Sequence, residues 1–374
     1  MNKKKVLVIY QDWNDWFLKD YGKFEHWFKE KDKAYDENNE YYIISLGNFN
    51  RVIHPENNVT VELFKSSPIN QIFDIMRFKK RLNIVINNFK PNYIYSPFIY
   101  LLSIVPKSQN YGIIGFLRDI TAEMVKSKGG IKKFAGNLFY MLDYLAFKKI
   151  DILLYNSPYL EKYALKLGYK GEMIFSPRDI VDKEFFETVN SKEILEKYDL
   201  FDKKIILTVA RYTKEKNIEM GIKAFKYLPD EYKYLIIGEG PEKRNLEKLA
   251  KKLEVENKVI FVGFVEHKNL WKYYKAADVF WLLSKSNFEG IPNVIMEAWH
   301  SKLPVIVSKI NALSSIVENG KTGVVLKSWN ERELAEETLK LLNDKKLYKK
   351  LQIEGWKKVN EITKQHVDVK KLFD

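Results

Sequence analysis

Six short apolar runs punctuate the second half of this chain, and nearly every one leaves room for a helix behind it. They are Ile205–Val209, Tyr234–Ile237, Val259–Val262, Val279–Leu283, Val305–Val307 and Val324–Leu326. Each but the last leads into turn residues and then a helical pattern. Strands separated in this way pair in parallel, because a parallel pair needs a crossover of roughly a dozen residues. The predicted unit is a doubly wound α/β sheet covered on both faces. The first half alternates in the same manner, with strands at Val6–Tyr10, Tyr41–Leu46, Tyr93–Tyr95, Tyr111–Ile114, Ile152–Tyr155 and Met173–Phe175. Ile72, Ile75, Met76, Leu82, Val85, Ile86 and Phe89 form a helical pattern between two of them. A linker is expected between Asp179 and Ser191, where a Pro-Arg-Asp turn precedes polar residues. The expected domains are therefore residues 1–182 and 183–357, with a C-terminal helix at 358–374 returning to complete the first. From Glu331 onward the tail reads as helical and charged, with Leu334, Leu339, Leu341 and Leu342 on its apolar positions.

At 374 residues and 46% hydrophobic content, the chain can fill two cores. It contains no cysteine, which excludes a disulfide framework and a thiolate metal site. The five histidines are scattered without metal-ligand spacing, and no metal is expected. The longest apolar candidate, Tyr93 to Val105, is broken by Ser96, Pro97 and Ser103 and reads as strand and loop. Val6–Tyr10 ends in polar Gln11-Asp12, unlike a secretory leader, so an intracellular, soluble protein is expected. A formal charge of +14 raises nucleic-acid binding as an alternative. However, the excess is divided between the halves, and neither a recognition motif nor an aromatic-interleaved basic strand accompanies it.

Chemistry concentrates after the strand at Asp278–Leu283. Glu289 lies in the loop at that strand's carboxyl end, where open α/β sheets bind ligands. Pro292 suits the first turn of the helix that follows, and Glu297 comes about a turn and a half later. Two spaced acceptor groups suit a ligand with spaced hydroxyls, such as a nucleotide sugar. Arg211 follows the strand Ile205–Val209 at once, and Lys216 stands beside the start of the next helix, where free N–H groups favour an anion. Gly238-Glu239-Gly240-Pro241 permits a tight turn but lacks the third glycine of a dinucleotide fingerprint. Gly263-Phe264-Val265 ends another strand, where backbone groups can meet a base edge.

Taken in order, these segments resemble family 4 glycosyltransferases. Ala276-Ala277-Asp278-Val279, Leu303-Pro304-Val305-Ile306 and the turn Asn319-Gly320-Lys321-Thr322-Gly323 add to the likeness. It is dense from about Ile205 to Leu326 and thinner earlier, at Asn156-Ser157 and Ser176 to Asp182. The resemblance implies a GT-B fold of two facing Rossmann-like domains, the nucleotide sugar held mainly by the second. It also implies retention of anomeric configuration, a Glu-x7-Glu motif, and no metal or other cofactor. On that basis Arg211 and Lys216 bind the donor diphosphate, and Glu289 binds the sugar hydroxyls with Gly290 and Ile291 offering amides. Glu297 takes the ribose diol, and main-chain groups at Val265 read the base.

The first half departs from the family pattern. A single Gly22 stands where members carry a double glycine, although it still admits close backbone approach. Leu117-Arg118-Asp119 replaces a stretch that often includes a histidine, which leaves Asp119 as the catalytic candidate there. Pro177-Arg178-Asp179-Ile180-Val181-Asp182 is one residue longer than the usual hinge. The expected acceptor is a glycan or lipid-linked glycan, as in polysaccharide biosynthesis. Lysines from Lys126 to Lys149, interleaved with Phe134, Leu138, Phe139, Met141, Leu142 and Leu145, fit peripheral contact with an anionic membrane at its inner face. The same pattern equally fits a helix packed on the first sheet. A nucleotide-sugar epimerase on the same scaffold is the other enzyme reading, against which the Glu289–Glu297 spacing argues.

Overall fold

The computed structural model describes residues 3–11, 29, 33–47, 50–65, 71–127, 130, 132–177, 190–286 and 290–373. The chain divides into two compact units. Residues 1–178 and 365–374 form one, and residues 179–364 form the other.

The first unit contains β1 (Lys5–Gln11), β2 (Glu40–Gly47), β3 (Arg51–Glu56), β4 (Val59–Lys65), α1 (Gln71–Phe89), β5 (Tyr93–Ser96) and α2 (Ile99–Leu102). It continues through β6 (Gly112–Leu117), α3 (Thr121–Ser127), α4 (Lys132–Phe147), β7 (Ile152–Tyr155), α5 (Pro158–Lys166) and β8 (Glu172–Phe175). The sheet order is β3-β4-β2-β1-β5-β6-β7-β8, parallel throughout except for the antiparallel β3–β4 pair at one edge. That hairpin was not foreseen. Pro55 and Asn57-Asn58 resemble a loop, and the alternation of buried Val59, Val61 and Leu63 is the signal that reveals β4.

The apolar stretch at Tyr93–Val105 opens with the expected strand, but a short helix, Ile99–Leu102, stands where a loop was expected. Ser96 Oγ donates to Ile9 O (2.8 Å) and accepts from Phe98 N–H (3.0 Å), which turns the chain. Among the described residues no helix is long and apolar enough to cross a membrane.

The lysine-rich segment 126–149 is not one helix. α3 and α4 pack so closely at Gly136 that a Cβ there would lie 2.3 Å from Lys126 Cγ and 2.8 Å from Ala122 O. Lys126 covers the Tyr140 ring at 4.3 Å, and Lys148 covers Tyr144 at 4.2 Å. Lys149 is turned inward: Nζ donates to the carbonyls of Ser103 and Val105, and burial lowers its pKa. One face of α4 thus belongs to the fold, with Phe139 edge-on to Tyr100. The opposite face leaves Phe134 78% and Met141 52% exposed, with Leu145 also exposed.

The second unit begins with α6 (Lys192–Lys197), β9 (Lys204–Val209), α7 (Ile218–Ala224), β10 (Tyr232–Ile237), α8 (Lys243–Lys252) and β11 (Val259–Gly263). It continues with α9 (His267–Ala276), β12 (Val279–Leu282), α10 (Asn293–His300), β13 (Val305–Val307), α11 (Asn311–Ser314), β14 (Val324–Val325), α12 (Glu331–Asn343) and α13 (Lys345–Thr363). Its strands run β11-β10-β9-β12-β13-β14, all parallel. This is the Rossmann order, whose direction of winding reverses between β9 and β12. β12 is buried on both faces, which explains its unbroken apolar run. Trp281 packs edge-on to Tyr234 (5.3 Å) and Phe225 (5.9 Å), and Thr208 Oγ1 bridges the Tyr234 hydroxyl and Trp281 O.

The expected return of the C terminus takes a different form. Of the helix expected at 358–374, residues 358–363 are helical as the end of α13, which stays with the second unit, and beyond them a 3-10 turn, Val369–Leu372, stands where the helix was expected to continue. Accordingly, the units exchange chain at 178/179 and 364/365 rather than at 182/183 and 357/358. Val369 and Phe373 are fully buried in the first core, Phe373 against Tyr93 and Tyr95. His366 Nδ1 meets Pro177 O at 2.7 Å, and Lys370 N–H donates to Lys33 O at 3.0 Å. Anchoring two apolar side chains in a core outweighs extending a helix whose next residues would be solvent-exposed.

Candidate functional site

The loops that leave β9, β10 and β11 are joined backbone to backbone. Ala210 N–H donates to Ile237 O (3.0 Å), Tyr212 N–H to Glu239 O (2.9 Å), Glu242 N–H to Tyr212 O (3.0 Å) and Gly238 N–H to Gly263 O (2.9 Å). This contact requires glycine. Gly238 has φ +130°, and a Cβ there would sit 2.0 Å from Ala210 O; at Gly240 it would sit 2.4 Å from Tyr212 O. Tyr212 is fully buried beneath the junction, its hydroxyl donating to Ile236 O at 2.8 Å, and burial raises its pKa.

Arg211 projects from this junction and is exposed. Lys216 ends a 3-10 turn, Lys214–Lys216, and is partly buried. Asn217 follows in the left-handed region (φ 51°) and opens α7. Across the switch point, Lys285 N–H donates to Glu215 O at 2.7 Å, tying the loop after β12 to the turn that carries Lys216. Ser308 Oγ holds the same loop by donating to Ser284 O at 2.6 Å. Sequence reasoning missed three buried hydroxyls in these loops: Thr213, Ser284 and Ser286 have no hydrogen-bond partner among the described residues.

Glu297 is more deeply set than its place in the sequence suggested. Pro292 caps α10, and Glu297 lies in its second turn, 3% exposed. Both carboxylate oxygens are engaged: His267 Nε2 meets Oε1 at 3.0 Å, and the Tyr274 hydroxyl donates to Oε2 at 2.7 Å. Tyr274 is buried, which raises its pKa well above 10, and the charge on Glu297 adds to the effect. Neither partner was foreseen from the sequence. Their separation of two turns along α9 places both on one face, a signal that becomes visible only once α9 is known to pack beside α10.

Gly290 and Ile291 are buried at the entrance to α10. Val265 is half-buried after Gly263 (φ +85°), whereas Phe264 between them is exposed. Glu289 and Gly22 lie outside the described residues. Arg211, Lys216, Val265, Gly290, Ile291 and Glu297 therefore all belong to the carboxyl-edge loops of one sheet, or to the helices those loops open. Asp119 belongs to the first unit. It is exposed ahead of α3 and accepts from Thr121 Oγ1 at 3.3 Å. The neighbouring Arg118 lies 4.5 Å over the Phe116 ring and donates to the Tyr95 hydroxyl at 3.3 Å. Among the described residues no group of three or more acidic, histidine or cysteine side chains is arranged to hold a metal ion.

The family model of glycosyl transferases group 1 matches residues 190–358. Among curated proteins, the chain is 28% identical over 162 residues to alpha-D-kanosaminyltransferase of Streptomyces kanamyceticus, covering 42% of each. It is 31% identical over 168 residues to alpha-monoglucosyldiacylglycerol synthase of Acholeplasma laidlawii, covering 43% of this chain and 42% of the relative. The matched segment thus spans about two fifths of the length of these relatives. Likeness of fold extends much further. HepE of Anabaena, solved with UDP, superposes with a TM-score of 0.71 at 16% identity, covering 96% of this chain and 98% of its own. Sucrose-phosphate synthase of Thermosynechococcus elongatus gives 0.72 at 17% identity, covering 96% and 95%. Residues 190–358 of this chain thus match the group 1 glycosyl transferases, in line with its resemblance to the family 4 glycosyltransferases, and its two Rossmann-like units share the GT-B fold.

Proposed function

We propose that the protein moves a sugar from a UDP- or GDP-linked donor to a glycan or lipid-linked glycan, with retention of anomeric configuration and without a metal ion. The observation that carries this reading is the tie across the switch point. One hydrogen bond, Lys285 N–H to Glu215 O, joins the cationic loop after β9 to the loop leading into α10. Charge builds up on the departing diphosphate during transfer, and Arg211 and Lys216 stabilise it. The guanidinium offers a forked pair of donors, and the ammonium offers a compact charge. α7 is only seven residues long, so these side chains, rather than a helix dipole, carry most of that stabilisation. Glu289 orients the sugar through its hydroxyls, Glu297 receives the ribose diol, and backbone groups at Val265 meet the base. The acceptor proton passes to the leaving phosphate on the same face of the sugar.

The acceptor side rests on different observations. An exposed apolar stripe on α4, flanked by Lys126 and Lys148, suits an anionic bilayer surface. The relative from Acholeplasma laidlawii is named for a diacylglycerol-bearing product, which agrees with a lipid-linked acceptor. The protein would then work in the cytoplasm at the inner face of the membrane.

The test begins with thermal shifts across UDP, GDP, ADP and their sugars, since a ligand selective for the native state raises its stability. With the best donor, Arg211→Ala, Lys216→Ala and Glu289→Ala should each lower turnover by about two to three decades, the loss typical of one charge-assisted transition-state contact. EDTA should leave the rate unchanged. Near-normal turnover in all three variants would refute the site. Sugar conversion without an acceptor would favour the epimerase, whereas nucleotide release that depends on an acceptor supports transfer.

A further inference from the structure

Glu297 has partners that the family motif does not name, and they impose a geometry. An ionised carboxylate only accepts, so both partners must donate. Tyr274 donates to Oε2 from inside the fold. His267 donates to Oε1 through Nε2–H, and its side chain is 50% exposed whereas that of Glu297 is 4% exposed. The two oxygens are thus held from opposite sides, one by the core and one by a residue at the surface. His267 is itself fixed: it is the first residue of α9 and lies edge-on to the buried Trp271 at 5.9 Å.

A carboxylate oxygen that accepts one hydrogen bond keeps a second acceptor position. A vicinal diol needs two such positions in a fixed plane. With Tyr274 and His267 in place the plane of Glu297 cannot rotate, so no ordering cost falls on ligand binding. Without His267, Oε1 loses its constraint on the solvent side, while Tyr274 still keeps the group in the fold. The residue thereby acts on the ligand only through Glu297.

We propose that His267 is a positioning residue that fixes Glu297 to accept the ribose diol of the donor nucleotide, and so sets the preference for a ribonucleotide over a 2′-deoxynucleotide. This rests on the reading of Glu297 as the ribose ligand given above.

The experiment is isothermal titration of the full chain with UDP, GDP and ADP, followed by the 2′-deoxy form of whichever binds most tightly. The wild type should prefer the ribonucleotide by about tenfold, and His267→Ala should remove most of that preference by weakening the ribonucleotide alone, as loss of one oriented charge-assisted bond requires. His267→Gln, whose amide N–H can reach the same oxygen, should restore the preference to within about threefold of wild type. In turnover, His267→Ala should raise KM for the donor and leave kcat within about twofold, the signature of lost ground-state binding. A general loss of fold would weaken both nucleotides equally, and thermal melts would report it. If Glu297→Gln abolishes the ribose preference while His267→Ala leaves it intact, the role of His267 is overturned and the ribose reading stands. If neither substitution alters the preference, or the wild type has none, the ribose reading falls and takes the inference with it.

Discussion

Replacing Gly238 by alanine tests how the loops at the carboxyl edge of the second sheet are held. The structure gives this glycine two separate reasons to lack a side chain. Its φ of +130° is a conformation L-residues rarely adopt, and its missing Cβ would stand 2.0 Å from Ala210 O. The backbone conformation alone costs about 1–3 kcal/mol in a non-glycine residue. The overlap adds roughly 1–3 kcal/mol, since relieving it moves backbone by more than about 1 Å. That movement breaks Ala210 N–H to Ile237 O and Gly238 N–H to Gly263 O, each contributing about 1 kcal/mol. A total of roughly 4–8 kcal/mol is expected. Gly320 provides the control, because it also has positive φ (+71°) but a Cβ there meets nothing within 4 Å. Gly320→Ala should cost only about 1–2 kcal/mol, the left-handed penalty alone. Urea unfolding of the full chain, followed by tryptophan fluorescence, measures both. Trp281 and Trp299 are buried in the second unit and report on it. Equal destabilisation by the two substitutions, within about 1 kcal/mol, would refute the claim that close approach of the β9 and β10 loops demands this glycine. Donor affinity should fall in Gly238→Ala and stay unchanged in Gly320→Ala, because only the former displaces the backbone beside Arg211.

Two further expectations concern the first unit. Asp143 is buried with the Tyr163 hydroxyl donating to it at 2.6 Å, and burial lifts its pKa from an ordinary 3.8 to about 7. The folded state therefore binds more protons than the unfolded state between these values, and stability falls as pH rises from about 4 through about 7. Asp143→Asn should be the more stable protein at pH 8, by about 2–4 kcal/mol, and no more stable than wild type near pH 4. Thermal melts at the two pH values check it; a constant difference would contradict the burial argument. In flotation with phosphatidylglycerol vesicles at low salt, Phe134→Ser combined with Met141→Ser should weaken binding at least about tenfold, from the apolar area withdrawn. Unchanged flotation, or none by the wild type, would remove the membrane role of α4.

Some features were readable because they depend on local sequence. β12 announces itself as Val279-Phe280-Trp281-Leu282, since a central parallel strand is buried on both faces and needs no alternation. Pro292 and Asn217 mark helix starts through backbone preferences that act within a residue or two. The spacing of Arg211, Lys216 and Glu297 was legible because a doubly wound sheet brings the carboxyl ends of its strands to one edge. The edge hairpin β3–β4 was harder to find, because its polar turn hides a short strand in what reads as a loop.

Other features depend on residues far apart in sequence, and folding alone brings those together. Nothing near Glu297 in the chain announces His267 or Tyr274, which reach it only because α9 packs beside α10. Nothing in Lys126 to Lys149 indicates that Lys149 turns inward to two carbonyls while Phe134 stays exposed. The last residues read as a continued helix. They return to the first unit, but as a 3-10 turn that places Val369 and Phe373 in its core. Local pattern chooses strands, helices and turns through short-range sterics and periodicity. The partner of a buried charge and the packing of a terminal segment follow from long-range packing, which the linear order of residues does not record.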